Sequence, residues 1–396
     1  MSPKSTEVLT LKGETLLITE DAPAYAALAA VRGLRVRGYE PWVAIGTRPS
    51  YAARSCASAG AVRVPDPAVD RDAYVAALAR ESEALGVRAV IPGTEVGLVA
   101  LAGSQAAFGE KVVVASGDEA TVARATDKLE LERLAAEAGL RTPPTVRMTA
   151  DEATSGLEVP LPAIVKAPRT STPTGGGGFA VAGARRAATR DELVDAIAAL
   201  PRGVALVQPA LNGELAAVAG VAWEGEILAT SHQVATRVFP PGAGISASAE
   251  TVRRDSDLDA GVGRLIAAIG WSGIFQAQFI RSAAESYLID LNPRMYGSLA
   301  LAIAAGLNLP AMWADLLLGR SPAVGDYRAG VRFRSEEREL AALASAIGRG
   351  QWGLAGAILR PHRATTHAVA SLRDPLPLVT LARRLTGARA ALAAGA

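Results

Sequence analysis

The richest chemistry in this chain lies in polar residues spaced along two strand-like runs. Phe275-Gln276-Ala277-Gln278-Phe279-Ile280 and Leu288-Ile289-Asp290-Leu291-Asn292 are separated by a polar turn at 281–286. Both runs alternate with the period of a strand. Phe275, Ala277 and Phe279 fall on one face, as do Ile289 and Leu291 in the second run. Gln276 and Gln278, like Asp290 and Asn292, point the other way. Amides and a carboxylate then converge as hard oxygen donors, which suit Mg²⁺ while water and nucleotide phosphates supply its remaining ligands. Pro293 closes the strand and directs Arg294, whose guanidinium suits negative charge developing on a phosphate or carboxylate. A hairpin with a polar outer face explains the alternation alone; the Asn292-Pro293-Arg294 run favours the metal site.

Further candidates lie upstream and beside this hairpin. Pro162-Ala163-Ile164-Val165-Lys166 reads as a buried strand ending in a lysine, which is costly unless the ammonium meets a fixed negative charge or reaches solvent. Thr174-Gly175-Gly176-Gly177-Gly178 joins two strand-like runs, and its glycines free the backbone to aim N–H groups at phosphate oxygens. No Gly-Lys-Ser/Thr ends it, so it is not a Walker loop, and a glycine run taken alone favours a flexible hairpin loop. Thr94 and Glu95 follow a strand ending at Ile91, at the carboxyl end where parallel sheets bind ligands. A helix start capped by Thr94 fits them as well. Arg237, in a polar loop with His232, Gln233 and Pro240-Pro241-Gly242-Ala243-Gly244, suits a phosphate or substrate carboxylate, with a surface arginine as the alternative. Ser298, just past the hairpin in Tyr296-Gly297-Ser298, joins Arg237 and Glu95 as a candidate for substrate contact.

These residues need elements to position them. Strands are expected at 15–19, 42–45, 61–64, 87–91 and 111–114, with helices at 24–38 and 70–85. Such alternation predicts a doubly wound, mainly parallel sheet. Asp21-Ala22-Pro23 stands after the first strand where a dinucleotide site would carry glycines, which argues against that site. One helical stretch is expected from 117 to 139, carrying Asp127 and Lys128, and another at 191–200 before the strand Val204-Ala205-Leu206-Val207-Gln208. A hairpin at 218–230 turns at Glu224-Gly225-Glu226. Beyond 331 the chain reads as helical, with breaks at Pro361 and at Asp374-Pro375-Leu376-Pro377, and suits packing or oligomerisation.

The Asn292-Pro293-Arg294 hairpin resembles the metal hairpin of the ATP-grasp superfamily, and other parts follow in that superfamily's order from about residue 90 to residue 320. Within it, the chain looks closest to carboxylate–amine ligases and the large subunit of carbamoyl-phosphate synthetase, where the first metal ligand is a glutamine, as Gln278 would be. Asp290 stands where glutamate is usual, with the same charge and a shorter reach. The resemblance implies an α/β (α+β) ATP-grasp fold: an N-terminal α/β domain at 1–120, the ATP-grasp domain at 121–325 with a lid at about 160–207, and a helical extension at 326–396. It implies ATP held by Lys128, Lys166 and the loop Gly175, Gly176, Gly177 and Gly178. Gln208 would lie near the adenine amino group, the Leu211 backbone at the adenine edge, and Glu214 at the ribose, although that glutamate usually falls one residue later, at Leu215. Mg²⁺, with Mn²⁺ as an alternative, would sit on Gln278, Asp290 and Asn292. The implied reaction joins a carboxylate to an amine through an acyl phosphate, releasing ADP, with Arg294 stabilising charge. A related carboxylase or carbamoyl-phosphate-type transfer, or non-catalytic nucleotide binding, are the alternatives.

Composition bounds the rest. The length of 396 residues suits two or three domains, and half the residues are hydrophobic. A net charge of +2 argues against nucleic acid or a membrane surface as partner. The single Cys56 excludes an internal disulfide and fits a reducing cytoplasm, and the first seven residues hold no apolar signal segment. The apolar run at 299–319 is interrupted by Asn308, Pro310 and Asp315, which suits buried helices better than a membrane span. Three scattered histidines do not make a zinc cluster, and no Gly-x-Ser-x-Gly elbow occurs. The expected partners are a small carboxylate and an amine, with a homodimer as the simplest assembly.

Overall fold

The computed structural model describes residues 13–21, 24–155, 159–242, 244–282, 285–360, 362 and 365–394, with side chains described to residue 386. The expected start at 1–7, Ala22 and Pro23 after the first strand, Ala243 and the break at Pro361 lie outside the described residues.

Apolar runs of three to six residues build the first sheet, joined by its two-residue edge Val113–Val114. Thr15–Glu20, Glu40–Ile45, Gly60–Arg63, Ala89–Ile91 and Val113–Val114 pair in parallel, in the spatial order third, second, first, fourth, fifth. Leu16 and Ile18 pack with Leu28, Val31 and Leu34 of helix Tyr25–Val36. Leu17 and Val90 pack with Tyr74 and Leu78 of helix Arg71–Leu85. Helices therefore cover both faces, the doubly wound arrangement expected for a parallel sheet. The strand order reverses between Thr15–Glu20 and Ala89–Ile91, which opens a crevice at their carboxyl ends.

The stretch from 117 to 139 is two helices rather than one. Glu119–Thr126 ends at Asp127, whose extended backbone starts the second helix, Lys128–Glu137. Its carboxylate accepts from the Leu129 and Glu130 N–H groups at 3.0 and 3.3 Å. A capping residue inside a helical pattern is a stop-and-restart signal, and it makes Lys128 the first residue of a helix.

Two further sheets follow, antiparallel except for the last pair of the larger one, Arg332–Arg334 with Thr365–His367, which is parallel. The smaller takes the order Arg185–Ala187, Ala163–Lys166, Val204–Pro209, Val146–Thr149. It thus begins upstream of 160, and its core joins Met148, Val165 and Val207 to Leu193 and Ile197 of helix Arg190–Ala198. The larger sheet has seven strands: Ser286–Asn292, Gly273–Arg281, Glu214–Trp223, Glu226–Phe239, Ile245–Thr251, Arg332–Arg334 and Thr365–His367. Phe275, Ala277 and Phe279 face helix Ser256–Ile269 through Val262, Leu265 and Ile266. Ala219 and Val221 face helices Leu299–Ala305 and Leu309–Leu317, which also meet the first helix of the N-terminal sheet.

Three expectations change here. His232, Gln233 and Arg237 lie on the fourteen-residue strand Glu226–Phe239 rather than in a loop, because that strand pairs with Ile245–Thr251 around bulges at Arg237. The C-terminal part is not purely helical: Arg332–Arg334 and Thr365–His367 extend the larger sheet, alongside helices Glu336–Gly348, Trp352–Leu359 and Pro377–Ala394. The apolar run at 299–319 forms two helices bent by 93°, and no single helix among the described residues is long and apolar enough to cross a membrane.

Candidate functional site

A cleft of about 540 Å³ opens between the smaller and the larger of these sheets. The hairpin Gly273–Arg281 / Ser286–Asn292 forms part of its floor, with Gln278 opposite Asp290 and Gln276 opposite Asn292. A bulge shifts the register beyond Gln278, so that Phe279 pairs with Leu288 and Ile289 is the extra residue. Leu288 and Leu291 stay in the core, while Ile289 turns to the cleft beside Asp290. Strict alternation would have buried Ile289 with Leu291. The bulge frees the Ile289 carbonyl, and it accepts from Lys166 Nζ at 2.7 Å.

Lys166 is buried at the end of its strand, as its sequence position implies. Burial lowers its pKa; the Asp290 carboxylate opposes that shift, and the Lys128 ammonium adds to it. Lys128 reaches the same place from its helix, with Nζ 3.1 Å from Thr170 Oγ1 and 3.8 Å from Asp290 Oδ1. Two cationic side chains from two elements therefore act on one carboxylate.

Arg294 lines the same cleft. Its η nitrogens donate to the Asn292 amide oxygen at 2.8 Å and to the Met295 carbonyl at 3.0 Å. Its Nε is buried, makes no hydrogen bond, and lies 3.8 Å from Glu95 Oε2. Glu95 begins a helix whose N-cap is Thr94, with the Thr94 hydroxyl accepting from Gly97 N–H at 3.1 Å. Thr94 therefore caps the helix, and Glu95 lines the cleft.

The cleft is also lined by apolar side chains, Ile164, Leu211, Leu215, Ile245 and Ile280. Gln208 sits among them, and its amide nitrogen donates to Thr145 Oγ1 at 2.9 Å and Glu132 Oε1 at 3.2 Å. An apolar slot with one anchored amide suits a planar heterocycle, and the charged side chains suit its phosphates.

Several sequence candidates do not reach the cleft. Glu214 and Leu215 alternate on one strand; Leu215 takes the inward position, and Glu214 faces outward to Arg281 at 3.0 Å. Gly175, Gly176, Gly177 and Gly178 turn a small hairpin, Ser171–Pro173 / Phe179–Val181, that docks on the N-terminal domain. Phe179 N–H donates to the Ala68 carbonyl at 2.8 Å and Arg71 N–H to the Gly177 carbonyl at 3.1 Å. Thr170 and the segment 182–184 line the cleft instead. Arg237 is already neutralised by Glu339, at 2.5 and 2.7 Å. Ser298 is buried and exchanges hydrogen bonds with Gln233 at 2.8 and 3.1 Å.

Other residues of this region carried no sequence signal of their own. Thr170, Thr145 and Glu132 meet the cleft's lysine and glutamine only through the fold. Glu20 is buried and Asp21 half-buried at the crevice of the parallel sheet. Burial lifts the Glu20 carboxyl to about 7 against hydrogen bonds from Ser50, Ala24, Tyr51 and Ala52. Burial also raises Asp21, which accepts from Tyr74 at 2.9 Å and from Thr94.

The donors fit a hard cation that is shared with phosphates. No group of three or more histidine, cysteine or acidic side chains could hold a metal among the described residues. What the hairpin offers is one carboxylate, Asp290, and two amides. Gln278 donates through its nitrogen to Gln276 at 3.2 Å, which leaves its oxygen unused by the protein. Such a set is too weak to hold Mg²⁺ alone and is matched to an ion arriving with a polyphosphate.

Residues 203–339 match the family described as ATP-grasp in the biosynthetic pathway with Ter operon. No curated protein sequence matches the chain. Among solved structures it resembles an L-amino acid ligase from Bacillus licheniformis, with a TM-score of 0.59 and 14% identity over 78% of this chain and 75% of that one. It also resembles N5-carboxyaminoimidazole synthetase from Staphylococcus aureus, with a TM-score of 0.60 and 12% identity over 85% and 86% of the two chains. The biotin carboxylase domain of Hydrogenobacter thermophilus 2-oxoglutarate carboxylase, solved with MgADP and bicarbonate, gives a TM-score of 0.58 and 14% identity over 81% and 73%.

Proposed function

We propose that this chain, which has the ATP-grasp fold, is an ATP-dependent ligase that joins a small carboxylate to an amine and releases ADP and phosphate. The observation that carries the reading is the meeting of Lys128 and Lys166 at Asp290 in a cleft that Arg294 and a set of apolar side chains also line. Adenine would occupy the slot at Gln208 and Leu211. The triphosphate would then extend toward Lys128 and Lys166. A phosphate beside Lys166 would restore the positive charge that burial disfavours, so binding and protonation reinforce each other.

Mg²⁺ on Gln278, Asp290 and Asn292, with Mn²⁺ able to replace it, would supply Lewis-acid neutralisation of the phosphates. The carboxylate substrate attacks the γ-phosphorus to give an acyl phosphate and ADP. The amine then adds to the acyl carbon and phosphate leaves, with loss of the amine proton. Arg294, tethered by both η nitrogens, stays fixed while charge builds on the transferring phosphoryl group and on the tetrahedral intermediate. Little covalent chemistry falls to the protein, so positioning and electrostatics account for the rate.

A second reading has one observation behind it: a similar structure holds bicarbonate with MgADP. ADP release from ATP and Mg²⁺, measured with pooled carboxylates, pooled amines and bicarbonate, separates the two. The ligase reading expects sustained ADP release, beyond one equivalent per chain, only when a carboxylate and an amine are both present. Release with bicarbonate and no amine would establish the carboxylase-type reaction instead. ATP binding with no ADP under any condition would leave a nucleotide-binding protein without catalysis.

A further inference from the structure

Arg237 leads to a second cavity, away from the cleft. In register beside it lie Ser248 and, on the next strand, Arg334. The metal-site ladder crosses the same sheet as Asp290, Gln278, Ala217, Gln233 and Thr251. Thr251 and Ser248 are three positions apart on one strand, so their side chains point to opposite faces. On that far face Arg237, Arg332, Arg334 and Arg360 line a cavity of about 290 Å³ together with His362.

The charges there do not balance. Glu339 binds Arg237 and lies 3.9 Å from Arg334 Nε, and Glu250 binds Arg332 at 2.8 Å. Four guanidinium groups therefore face two carboxylates, an excess of two positive charges. Arg360 has no side-chain partner among the described residues; only its backbone carbonyl is engaged, by Arg334 at 3.0 Å. His362 Nδ1 lies 2.6 Å from Arg332 Nη1 and adds no negative charge; burial, then Arg332, Arg334 and Arg360, hold its pKa below the usual value. A confined excess of this sign attracts anions, and the arginine fork matches phosphate and carboxylate oxygens.

We propose that this cavity binds a small dianion, either a phosphate monoester or a dicarboxylate, at a site separate from the nucleotide cleft. Arg334 and Arg360 supply the direct contacts, and Arg237 and Arg332 are held in place by their glutamates.

Calorimetric titration of inorganic phosphate tests this on the full chain saturated with Mg²⁺ and a non-hydrolysable ATP analogue, which fills the cleft. One phosphate should bind per chain. Arg360→Gln, a change at an exposed residue that should leave the fold intact, and Arg334→Gln should each weaken it about tenfold or more, the effect of losing a charge-assisted contact. The affinity for the analogue should not change. Glycerol 3-phosphate or succinate should displace the phosphate, and the stronger competitor assigns the ligand class. Absence of saturable binding, or equal binding by both variants, would overturn the proposal. Phosphate that neither competitor displaces would overturn it too, as an adventitious ion only.

Discussion

Two hairpins of this molecule look equally functional in sequence and meet opposite fates in the fold. The hairpin ending at Asn292 delivers Gln278, Asp290 and Asn292 into the cleft. The glycine hairpin around residues 174–178 lies against Ala68 and Arg71 of the N-terminal domain. The first works through side chains, and strand alternation decides where side chains go. The second has almost none, so its position follows from whichever backbone it can pair with. A pattern of side chains predicts a site; a pattern of glycines predicts only freedom.

The largest effect should come from Asp290→Asn, which removes the only formal charge among the three proposed ligands. ADP formation should fall by more than about a hundredfold while the circular dichroism spectrum is unchanged, comparable to the loss of an electrostatic catalytic group. Normal turnover by the folded variant would place the hairpin's polar face in the same category as any solvated strand.

Arg294→Lys should come next. A lysine keeps the charge but cannot hold both Asn292 and Met295, so the cation loses its fixed direction. The catalytic rate should drop on the order of tenfold to a thousandfold with ATP affinity retained. Weaker ATP binding with an intact rate would move Arg294 into nucleotide anchoring.

Lys166→Ala should weaken ATP binding by about one to two decades, measured by calorimetry, as expected for a lost charge–phosphate contact. A large fall in melting temperature with unchanged ATP affinity would make its bond to the Ile289 carbonyl the whole of its role.

The glycine hairpin should give the smallest effects, and its four positions should differ. A Cβ on Gly175 or Gly176 meets open space. Alanine there should change ATP affinity by no more than about twofold, the usual size of surface effects. A Cβ on Gly178 would come within 2.1 Å of the Ala68 carbonyl oxygen. Gly178→Ala should therefore cost about 1–3 kcal/mol of stability and speed hydrogen exchange at Phe179. A tenfold loss of ATP affinity in the Gly175 or Gly176 variant would return this loop to the phosphates and remove the contrast between the hairpins.

The same contrast explains what could be read from the residues alone. The parallel sheet was legible because Leu16, Leu17 and Ile18 form an uninterrupted apolar run between turn signals, the mark of a strand buried on both faces. Lys166 was legible because an ammonium at the end of an apolar strand needs a reason. The Ile289 bulge was not, since an inserted residue leaves no trace in a short alternating run. Glu214 failed by one position, and one position on a strand reverses the face. Arg237 looked available because its partner, Glu339, is remote in sequence. The strands Arg332–Arg334 and Thr365–His367 are three residues each, too short to show a period among helices.

If the proposed site is correct, Asp290 holds a divalent cation only together with nucleotide. Mn²⁺ binding followed by electron paramagnetic resonance, with and without ATP, tests it directly. Tight Mn²⁺ binding by the native chain is expected when ATP is present, with negligible binding without it and loss of the nucleotide-dependent signal in Asp290→Asn. Equal Mn²⁺ binding by the native chain and the variant in the presence of ATP would contradict it.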